Sequence, residues 1–420
     1  MAEVVAGVWA AEEAISTGIY AGVAGHAIVK PTMPLKATFA QIGSASDAIS
    51  RSSLTRFHHT LTIVGEKAYI FGGQTTGDGL TTNHIHSITL RTDATDAIEY
   101  QAIPALAVGT DGPIPAPRTR HSACSLKSQV AIYGGCDETG NVLDEGARIW
   151  LYDTDKLTWD ILEPTSHPER VPAPRRDGIL LTDGNSLIVL GGENSSGIAL
   201  TDAWHFDCST KTWNQLPHTP AVISSAVVVG TMLYGISGSD ALGSEIYHLD
   251  VKLYAGESLA WQTIPFPTNP LAPGPRPRLN GGLVPVTTGY GRNYLLYFFG
   301  DRHGAAEKGD LLQWSDLWTF QLPSSDPELK PAASIPEAIK PAKIKDNIRA
   351  KFGADTGGFT WAEVEVQPPG DIQTHEGKVH PGPRSSFGYD VTADGRKVVL
   401  WGGSNAAGEP EGDGWIIALS

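Results

Sequence analysis

Cysteine and basic residues are scarce in this chain of 420 residues. The three cysteines, Cys124, Cys136 and Cys208, are too few for a disulfide scaffold or for a four-cysteine zinc site. Lysine and arginine total 31 against 46 acidic residues, which gives a formal charge of −15. Because such a charge repels nucleic acid and anionic membranes, we expect no nucleic-acid partner.

Two kinds of targeting segment are also missing from the sequence. No uncharged apolar run reaches the ~18 residues that a membrane span needs. The first lysine is Lys30, after Glu3, Glu12 and Glu13, whereas a secretory signal needs a basic start and an apolar centre. The sequence therefore predicts no membrane span and no export, and we expect a cytoplasmic location.

The chain does contain enough apolar residues for a large core. They make up 41% of the sequence against 18% charged residues, which excludes global disorder. Glycine (47) and proline (29) are frequent, so turns must be frequent as well.

An apolar strand that ends in glycine recurs along the chain. Its copies are AYIFGG (68–73), VAIYGG (130–135), LIVLGG (187–192), LYGISG (233–238), LLYFFG (295–300) and VVLWGG (398–403). An aromatic residue followed three positions later by an aliphatic one recurs after most of them, as Tyr100-Ile103, Trp159-Leu162, Trp213-Leu216, Trp261-Ile264 and Trp361-Val364. A repeat of this length predicts a supersecondary unit that stacks on its neighbours.

A third mark precedes the glycine strands. It reads PRTRHSA (117–123), PAPRRDG (172–178), PRPRLNG (276–282) and GPRSSFG (382–388). Each unit therefore consists of four short strands separated by turn residues. Because one four-stranded blade cannot bury both of its faces, the units are expected to stack radially as a β-propeller.

These marks resemble the Kelch repeat, with its glycine doublet and its tryptophan in the last strand. The resemblance covers roughly residues 36–420 and implies an all-β fold, a single six-bladed Kelch β-propeller of the galactose-oxidase-like superfamily, typical of eukaryotic intracellular Kelch proteins. Six glycine strands need six outer strands, but only five follow them. The segment KATFAQIG (36–43) carries the missing aromatic spacing, so we expect an N-terminal strand to complete the last blade.

Two segments stand outside the repeat. Residues 1–35 have an apolar stripe among alanines, which predicts an N-terminal helical extension. Residues 323–360 lengthen blade five, and we interpret them as an insertion within that blade.

The resemblance also implies a binding region at the central mouth of the propeller. Residues that open inner strands and residues that follow the glycine doublets face this mouth in Kelch proteins. The first set is His58, Arg120, Arg176, Ser224, Arg278 and Ser386, and the second is Gln74, Asp137, Glu193, Asp301, His303 and Asn405.

Arg120, Arg176 and Arg278 could together hold a carboxylate or a phosphate through bidentate hydrogen bonds. Kelch adaptors that this chain resembles hold acidic peptide segments with such arginines. The alternative is that the three arginines pair with acids on neighbouring loops, and the sequence leaves both interpretations open.

Two functions follow. The first is a binding or scaffold protein that presents an arginine-rich mouth to an acidic peptide or a small anionic ligand. The second is a cofactor-independent enzyme (an isomerase, cyclase or lyase) that uses an arginine, His303 and a carboxylate in the same pocket. No catalytic residue is assigned.

We expect neither a metal nor a cofactor. His58 and His59 are adjacent, so in a strand they point to opposite faces and cannot bind one ion. The Glu-x-x-x-Asp-x-x-x-His iron motif of plant specifier proteins, the phosphate loop and the Rossmann fingerprint do not occur in the sequence.

Overall fold

The described part of the chain consists of eleven ranges separated by gaps. The computed structural model describes residues 35–44, 54–75, 79–90, 99–238, 245–253, 259–266, 274–287, 293–302, 313–323, 359–367 and 378–419. The predicted helical extension, apart from residue 35, lies outside these ranges, as do residues 324–358 of the predicted insertion.

Short antiparallel sheets of four strands make up the first five blades. Strand β1 (Lys36–Ser44) comes first in the chain but belongs to the last blade. From the channel outward, blade one is β2 (Thr60–Val64), β3 (Lys67–Phe71), β4 (Ile85–Thr89) and β5 (Tyr100–Ile103), and blade two is β6 (Ser122–Leu126), β7 (Gln129–Tyr133), β8 (Ile149–Asp153) and β9 (Thr158–Leu162). Blade three is β10 (Ile179–Thr182), β11 (Ser186–Leu190), β12 (Ala203–Asp207) and β13 (Thr212–Leu216), and blade four is β14 (Ser225–Val229), β15 (Met232–Ile236), β16 (Ile246–Asp250) and β17 (Gln262–Ile264).

Two-residue ribbons and 3-10 turns accompany the later blades. The strands β18 (Arg278–Leu279) and β21 (Asp301–Arg302) pair with each other, and blade five is β19 (Gly282–Thr287), β20 (Asn293–Phe298), β22 (Leu317–Gln321) and β23 (Thr360–Glu363). The 3-10 helices are Pro168–Arg170 and Val251–Leu253. No helix within the described ranges is long and apolar enough to cross a membrane.

The N-terminal strand completes blade six, as the sequence predicted. From the channel outward, the strands of this blade that follow blade five in sequence are β26 (Gly388–Val391), β27 (Lys397–Trp401) and β29 (Asp413–Leu419), and β24 (Glu365–Val366) lies at its outer edge. A separate two-stranded ribbon pairs β25 (Arg384–Ser385) with β28 (Ser404–Asn405). Strand β1 pairs antiparallel with β29, so that Phe39 lies opposite Ile417, and β24 adds a short parallel strand outside β1. The fourth position of the last blade is thus supplied by the start of the chain.

The inner strands β2, β6, β10, β14, β19 and β26 contact one another in this order and close back on β2. Among the described residues, buried apolar side chains form six clusters, each of which lies between two adjacent blades. The core is therefore distributed around the ring. This arrangement confirms the six-bladed propeller.

Aromatic residues of the outer strands fill the wedges between blades. Trp159 is fully buried, with its ring centroid 5.2 Å from that of Phe71 in the neighbouring blade. Trp213 lies 5.9 Å from Tyr133 of blade two. The large indole rings span the increasing distance between blades away from the channel.

Candidate site at the mouth of the channel

One residue from each blade stands at one mouth of the central channel, just before its inner strand. These residues, called here the mouth ring, are His58, Arg120, Asp177, Ser224, Asn280 and Ser386. All of them except Ser224 have a φ between 51° and 54°. This left-handed conformation is unusual for residues other than glycine, and surrounding contacts must hold it in place.

Backbone hydrogen bonds between blades hold these left-handed residues. In four of the five, the backbone N–H donates to the carbonyl of the ring residue in the preceding blade. The bonds run from Ser386 to Asn280 (3.0 Å), from His58 to Ser386 (2.8 Å), from Arg120 to His58 (3.1 Å) and from Asp177 to Arg120 (2.8 Å). These four bonds therefore link the mouth-ring residues of blades five, six, one, two and three in turn.

Two predicted inner-strand arginines do not belong to the mouth ring. Arg176 comes one residue before the ring residue Asp177, and Arg278 comes two residues before Asn280. The side chain of Arg278 is fully buried. The prediction that these arginines are equivalent to Arg120 is therefore wrong.

Arg278 instead belongs to a set of buried arginines, called here the latch arginines. They are Arg56, Arg118, Arg175, Arg278 and Arg384, each two residues before a mouth-ring residue and at most 1% exposed. Each guanidinium donates, at 2.8 to 3.1 Å, to the carbonyl that follows the second strand of its own blade. In four blades the guanidinium also forms an ion pair, at 2.7 or 2.8 Å, with an acid that begins the third strand or shortly precedes it. These acids are Glu145, Asp202, Asp316 and Asp413.

The backbone of a latch arginine also contacts the preceding blade. Its carbonyl accepts the N–H of the second glycine of that blade at 2.9 Å, in the pairs Gly73–Arg118, Gly135–Arg175, Gly300–Arg384 and Gly403–Arg56. Gly73 has a φ of +94°, and a Cβ there would lie 2.7 Å from the carbonyl oxygen of Phe57. The glycine doublets therefore mark a close approach of backbones from adjacent blades.

Blade four departs from this pattern. Val222 stands where a latch arginine would, and the N–H of Ser224 donates within its own blade to Ile236 at 2.9 Å. The hydroxyl of Ser224 contacts the carbonyl of Arg278 at 3.4 Å. The mouth ring is thus interrupted at the blade whose glycine pattern is degraded in the sequence.

Blade one keeps its latch arginine but pairs it with a histidine. Arg56 Nη2 lies 3.0 Å from Nε2 of His86, whose Nδ1 lies 2.8 Å from the hydroxyl of Tyr100. Burial lowers the pKa of Arg56 to about 10 and that of His86 to about 3. Because arginine only donates, the neutral ring accepts at Nε2 and donates from Nδ1.

Four charged side chains form a cluster at one side of the mouth. This mouth cluster consists of Arg120, Arg176, Asp177 and Glu193. Arg120 Nε donates to Asp177 Oδ1 at 3.0 Å, its Nη2 pairs with Oδ2, and Glu193 lies 3.7 Å from Nη2. Arg176 donates to Glu193 from Nε at 3.0 Å and from Nη2 at 2.9 Å. Arginine–acid pairing, the alternative left open by the sequence, is therefore present at the mouth.

The two arginines of the mouth cluster differ in their remaining donors. Arg176 Nη1 donates to the carbonyl of Gly140 at 2.9 Å, so all three nitrogens of its guanidinium are used. Within the described ranges, Nη1 of Arg120 has no hydrogen-bond partner, and its side chain is 29% exposed. Although burial opposes it, Asp177 raises the pKa of Arg120, which stays charged.

The predicted residues after the glycine doublets fall into two groups. Gln74, Glu193 and Asp301 pair with the backbone immediately before the mouth ring, and Asp301 accepts from Asn280 Nδ2 at 2.9 Å. Asp137 and Asn405 lie one residue beyond that position. Their side chains accept backbone N–H groups two and four residues further on, at 2.9 or 3.0 Å, and so shape their own loops.

Of the remaining predicted residues, His58, Ser224 and Ser386 line the mouth, whereas His303 lies outside the described residues. Burial lowers the pKa of His58 more than the nearby Asp177 raises it. His58 is therefore neutral at pH 7 and contributes hydrogen bonds instead of charge.

Below the mouth, the inner strands enclose a cavity of about 460 Å³, and a second cavity of about 380 Å³ leads to the opposite face. Asp390 on β26 lines both of them, and burial raises its pKa to about 6. No group of three or more His, Cys, Asp or Glu residues in the described ranges is arranged to hold a metal ion.

Sequence reasoning missed Asp177 and Asn280 at the mouth and Asp390 in the channel. The first two could have been found by aligning the Pro-Arg pairs of the third sequence mark, which begin at Pro117, Pro174, Pro277 and Pro383. Three residues after each proline is a mouth-ring residue. No comparable signal marks Asp390.

Comparison with known proteins agrees with this geometry. A family model for the Kelch-repeats domain of KLHDC2, KLHL20 and DRC7 matches residues 58–300, more than half of the chain. Acyl-CoA-binding domain-containing protein 4 of Arabidopsis thaliana is 20% identical over 354 residues, which cover 81% of this chain and 49% of that protein. Kelch domain-containing protein 3 of Mus musculus is 24% identical over 319 residues, with 72% and 76% covered.

Host cell factor 1 of Homo sapiens is 26% identical over 293 residues, 64% of this chain and 13% of that protein. The chain thus spans about half the length of the first of these relatives and a small part of the last. The family model's range, residues 58–300, lies within the propeller-forming part of the chain. The chain belongs to the Kelch-repeat family.

Proposed function

We propose that this chain is a binding protein whose mouth holds an acidic peptide segment or a small anionic ligand through Arg120. The Kelch propeller fits a binding or scaffold role. The observation that carries the finer proposal is the unused Nη1 edge of Arg120, which is partly exposed within a ring of polar residues. A carboxylate that accepts from this edge gains a charge-assisted hydrogen bond without displacing Asp177.

The ion pairs within the mouth cluster limit the class of ligand that the mouth can bind. Two arginines face two carboxylates, so the cluster has no net charge and does not attract polyanions in general. Ser224, Asn280 and Ser386 supply neutral hydrogen-bonding groups across the mouth. This combination favours a ligand with one or two carboxylates among other polar groups, such as a peptide.

Replacing Arg120 by Gln is expected to weaken binding of an acidic peptide by about 1.5–3 kcal/mol, the contribution of one hydrogen bond to a charged group. Asp177→Asn is expected to strengthen binding, because it removes a neighbouring negative charge that repels the carboxylate of the ligand. Titration of a fluorescent peptide that carries two glutamates among serines and glycines, with succinate as the small anion, measures both effects.

Arg148→Gln is the matched control. Arg148 is a partly exposed arginine that pairs with Glu163 at 3.3 Å outside the mouth, so its loss should leave binding unchanged. Equal affinities for the parent protein, the Arg120 variant and the Asp177 variant would contradict the proposal.

Other sequence-based expectations remain predictions. They are the cytoplasmic location and the lack of a metal, a cofactor and a nucleic-acid partner. The alternative of a cofactor-independent enzyme depended on His303, which lies outside the described residues. No contact among the described mouth residues favours that alternative.

A further inference from the structure

The channel below the mouth contains a carboxylate between its two cavities. The cavities of about 460 Å³ and about 380 Å³ share Ser125, Pro285, Asp390 and Val391 in their walls. Asp390 therefore lies where they meet, four residues after the ring residue Ser386. A small molecule in either cavity therefore lies against a wall that contains this carboxylate.

The wall around Asp390 is mainly apolar. The cavity of about 460 Å³ is lined by apolar side chains of four other inner strands, which are Leu61, Leu181, Val228 and Val284. Towards the mouth, the cavity wall also contains Arg120, Asp177 and three histidines, His58, His59 and His121, whose pKa values burial lowers. Below them, Asp390 is the one Asp, Glu, Lys, Arg or His among the described residues that line the two cavities. Strands β2 and β19 contribute uncharged residues to the wall, and β27 places Val399 opposite Asp390.

The hydrogen bonds of Asp390 leave its charge uncompensated. Its Oδ2 accepts the N–H of Ile63 at 2.7 Å, and its Oδ1 accepts the N–H of Val391 at 2.8 Å. No ion pair to it occurs within the described ranges. Its charge influences the titration of two neighbours, because burial and then the charge of Asp390 raise the pKa of the Cys124 thiol on β6, and burial and Asp390 also raise the pKa of Tyr389.

A purely structural role would not require a charge at this position. On the other side of β26, the hydroxyl of Tyr389 accepts the N–H of Leu283 at 3.3 Å and so ties β26 to β19. Asp390 ties β26 to β2 in the same way. A neutral acceptor is thus sufficient for one tie, whereas burying a carboxylate without a cation is unfavourable.

We propose that the channel binds a small organic amine, whose ammonium group pairs with Asp390 and whose apolar part packs against the wall. An ionised carboxylate can accept about four hydrogen bonds, and Asp390 accepts two from the backbone. An apolar cavity with one polar group suits a small amphiphilic ligand. A hydrated divalent cation would require more oxygen ligands than this wall supplies.

Benzylamine tests the proposal on the full chain, with benzyl alcohol and benzoate as probes of the same ring. At pH 7.5 we expect benzylamine to raise the melting temperature and to bind at least ten times more tightly than either other probe. Asp390→Asn should reduce its affinity at least tenfold, because the amide has no charge but still offers an oxygen to Ile63. Asp160→Asn, which neutralises an exposed acid on β9, is the matched control and should bind as the parent does.

A second measurement does not depend on folding of the variant. With the pKa of Asp390 at about 6, the ionised fraction falls about tenfold between pH 7.5 and pH 5.0, while benzylamine stays protonated. The affinity of the parent protein should fall by the same factor. Equal binding of the alcohol and the amine, an affinity independent of pH, or undiminished binding by the Asn variant would each overturn the proposal.

Discussion

Removing residues 1–44 is expected to open the propeller and to cause aggregation or loss of most of its stability. The deletion removes β1, which pairs with β29 at seven positions. Phe39 is only 4% exposed, and its ring centroid lies 4.3 Å from that of His380 and 6.4 Å from that of Phe299. Loss of one such buried phenylalanine costs about 3–5 kcal/mol, a large part of the 5–15 kcal/mol that stabilises a typical domain.

The open edge adds a second effect. Without β1, the backbone of Asp413–Leu419 presents unpaired N–H and C=O groups to other molecules, which promotes edge-to-edge association. Deletion of residues 1–34 alone is the control, because it retains β1. Soluble yield, size-exclusion profile and melting temperature should separate the two deletions. If both melt at the same temperature, ring closure does not depend on β1.

The propeller could be predicted because its signals repeat. Glycine pairs, outer aromatics and Pro-Arg pairs recur in units, and each unit supports the interpretation of the others. The segment 36–43 can be predicted as a strand because the repeat count leaves one outer strand missing. Its pairing with β29 required only that the ring close.

The mouth could be predicted only in part, because three arginines in similar local sequences have different environments. Arg120 is partly exposed at the mouth and pairs with the adjacent ring residue Asp177, and Arg176 pairs with Glu193 beside it. Arg278 is buried against Asp316, 38 residues further along the chain. The local sequence around an arginine does not show whether it forms an ion pair with an acid that is distant in the chain. The pairing of Asp390 with the N–H of Ile63, across a separation of 327 residues, is beyond local patterns for the same reason.

Replacing Asp413 by Ala is expected to reduce the free energy of unfolding by about 3–5 kcal/mol, the typical cost of breaking a buried ion pair. Asp413 is 4% exposed and its partner Arg384 is fully buried, with Nη1 of the arginine 2.7 Å from Oδ1. Trp415 Nε1 also donates to Asp413 at 2.9 Å. The substitution therefore leaves a buried guanidinium without its counter-charge and an indole N–H without its acceptor.

The contribution of Asp413 to the free energy of unfolding depends on pH with a defined sign. Burial alone would raise the pKa of Asp413, but the charge and hydrogen bonds of Arg384 and the bond from Trp415 lower it below the usual 3.8. A carboxyl with a lowered pKa stabilises the fold above pH ~4 and loses this contribution as the pH falls through its folded-state pKa. The difference between the parent protein and Asp413→Ala should therefore be full at pH 7 and shrink below pH 4.

Two further variants distinguish a stranded charge from a simple loss of contacts. Adding Arg384→Met to Asp413→Ala removes the unpaired guanidinium, so the double variant should be more stable than Asp413→Ala alone. Lys156→Ala breaks an exposed pair with Asp153 at 3.0 Å and should leave the free energy of unfolding unchanged, because exposed ion pairs contribute little. Urea unfolding of the four proteins at pH 7 measures these differences. A double variant less stable than Asp413→Ala would show that Arg384 stabilises the blade through its bond to the Gly402 carbonyl, at 3.0 Å, even without its acid.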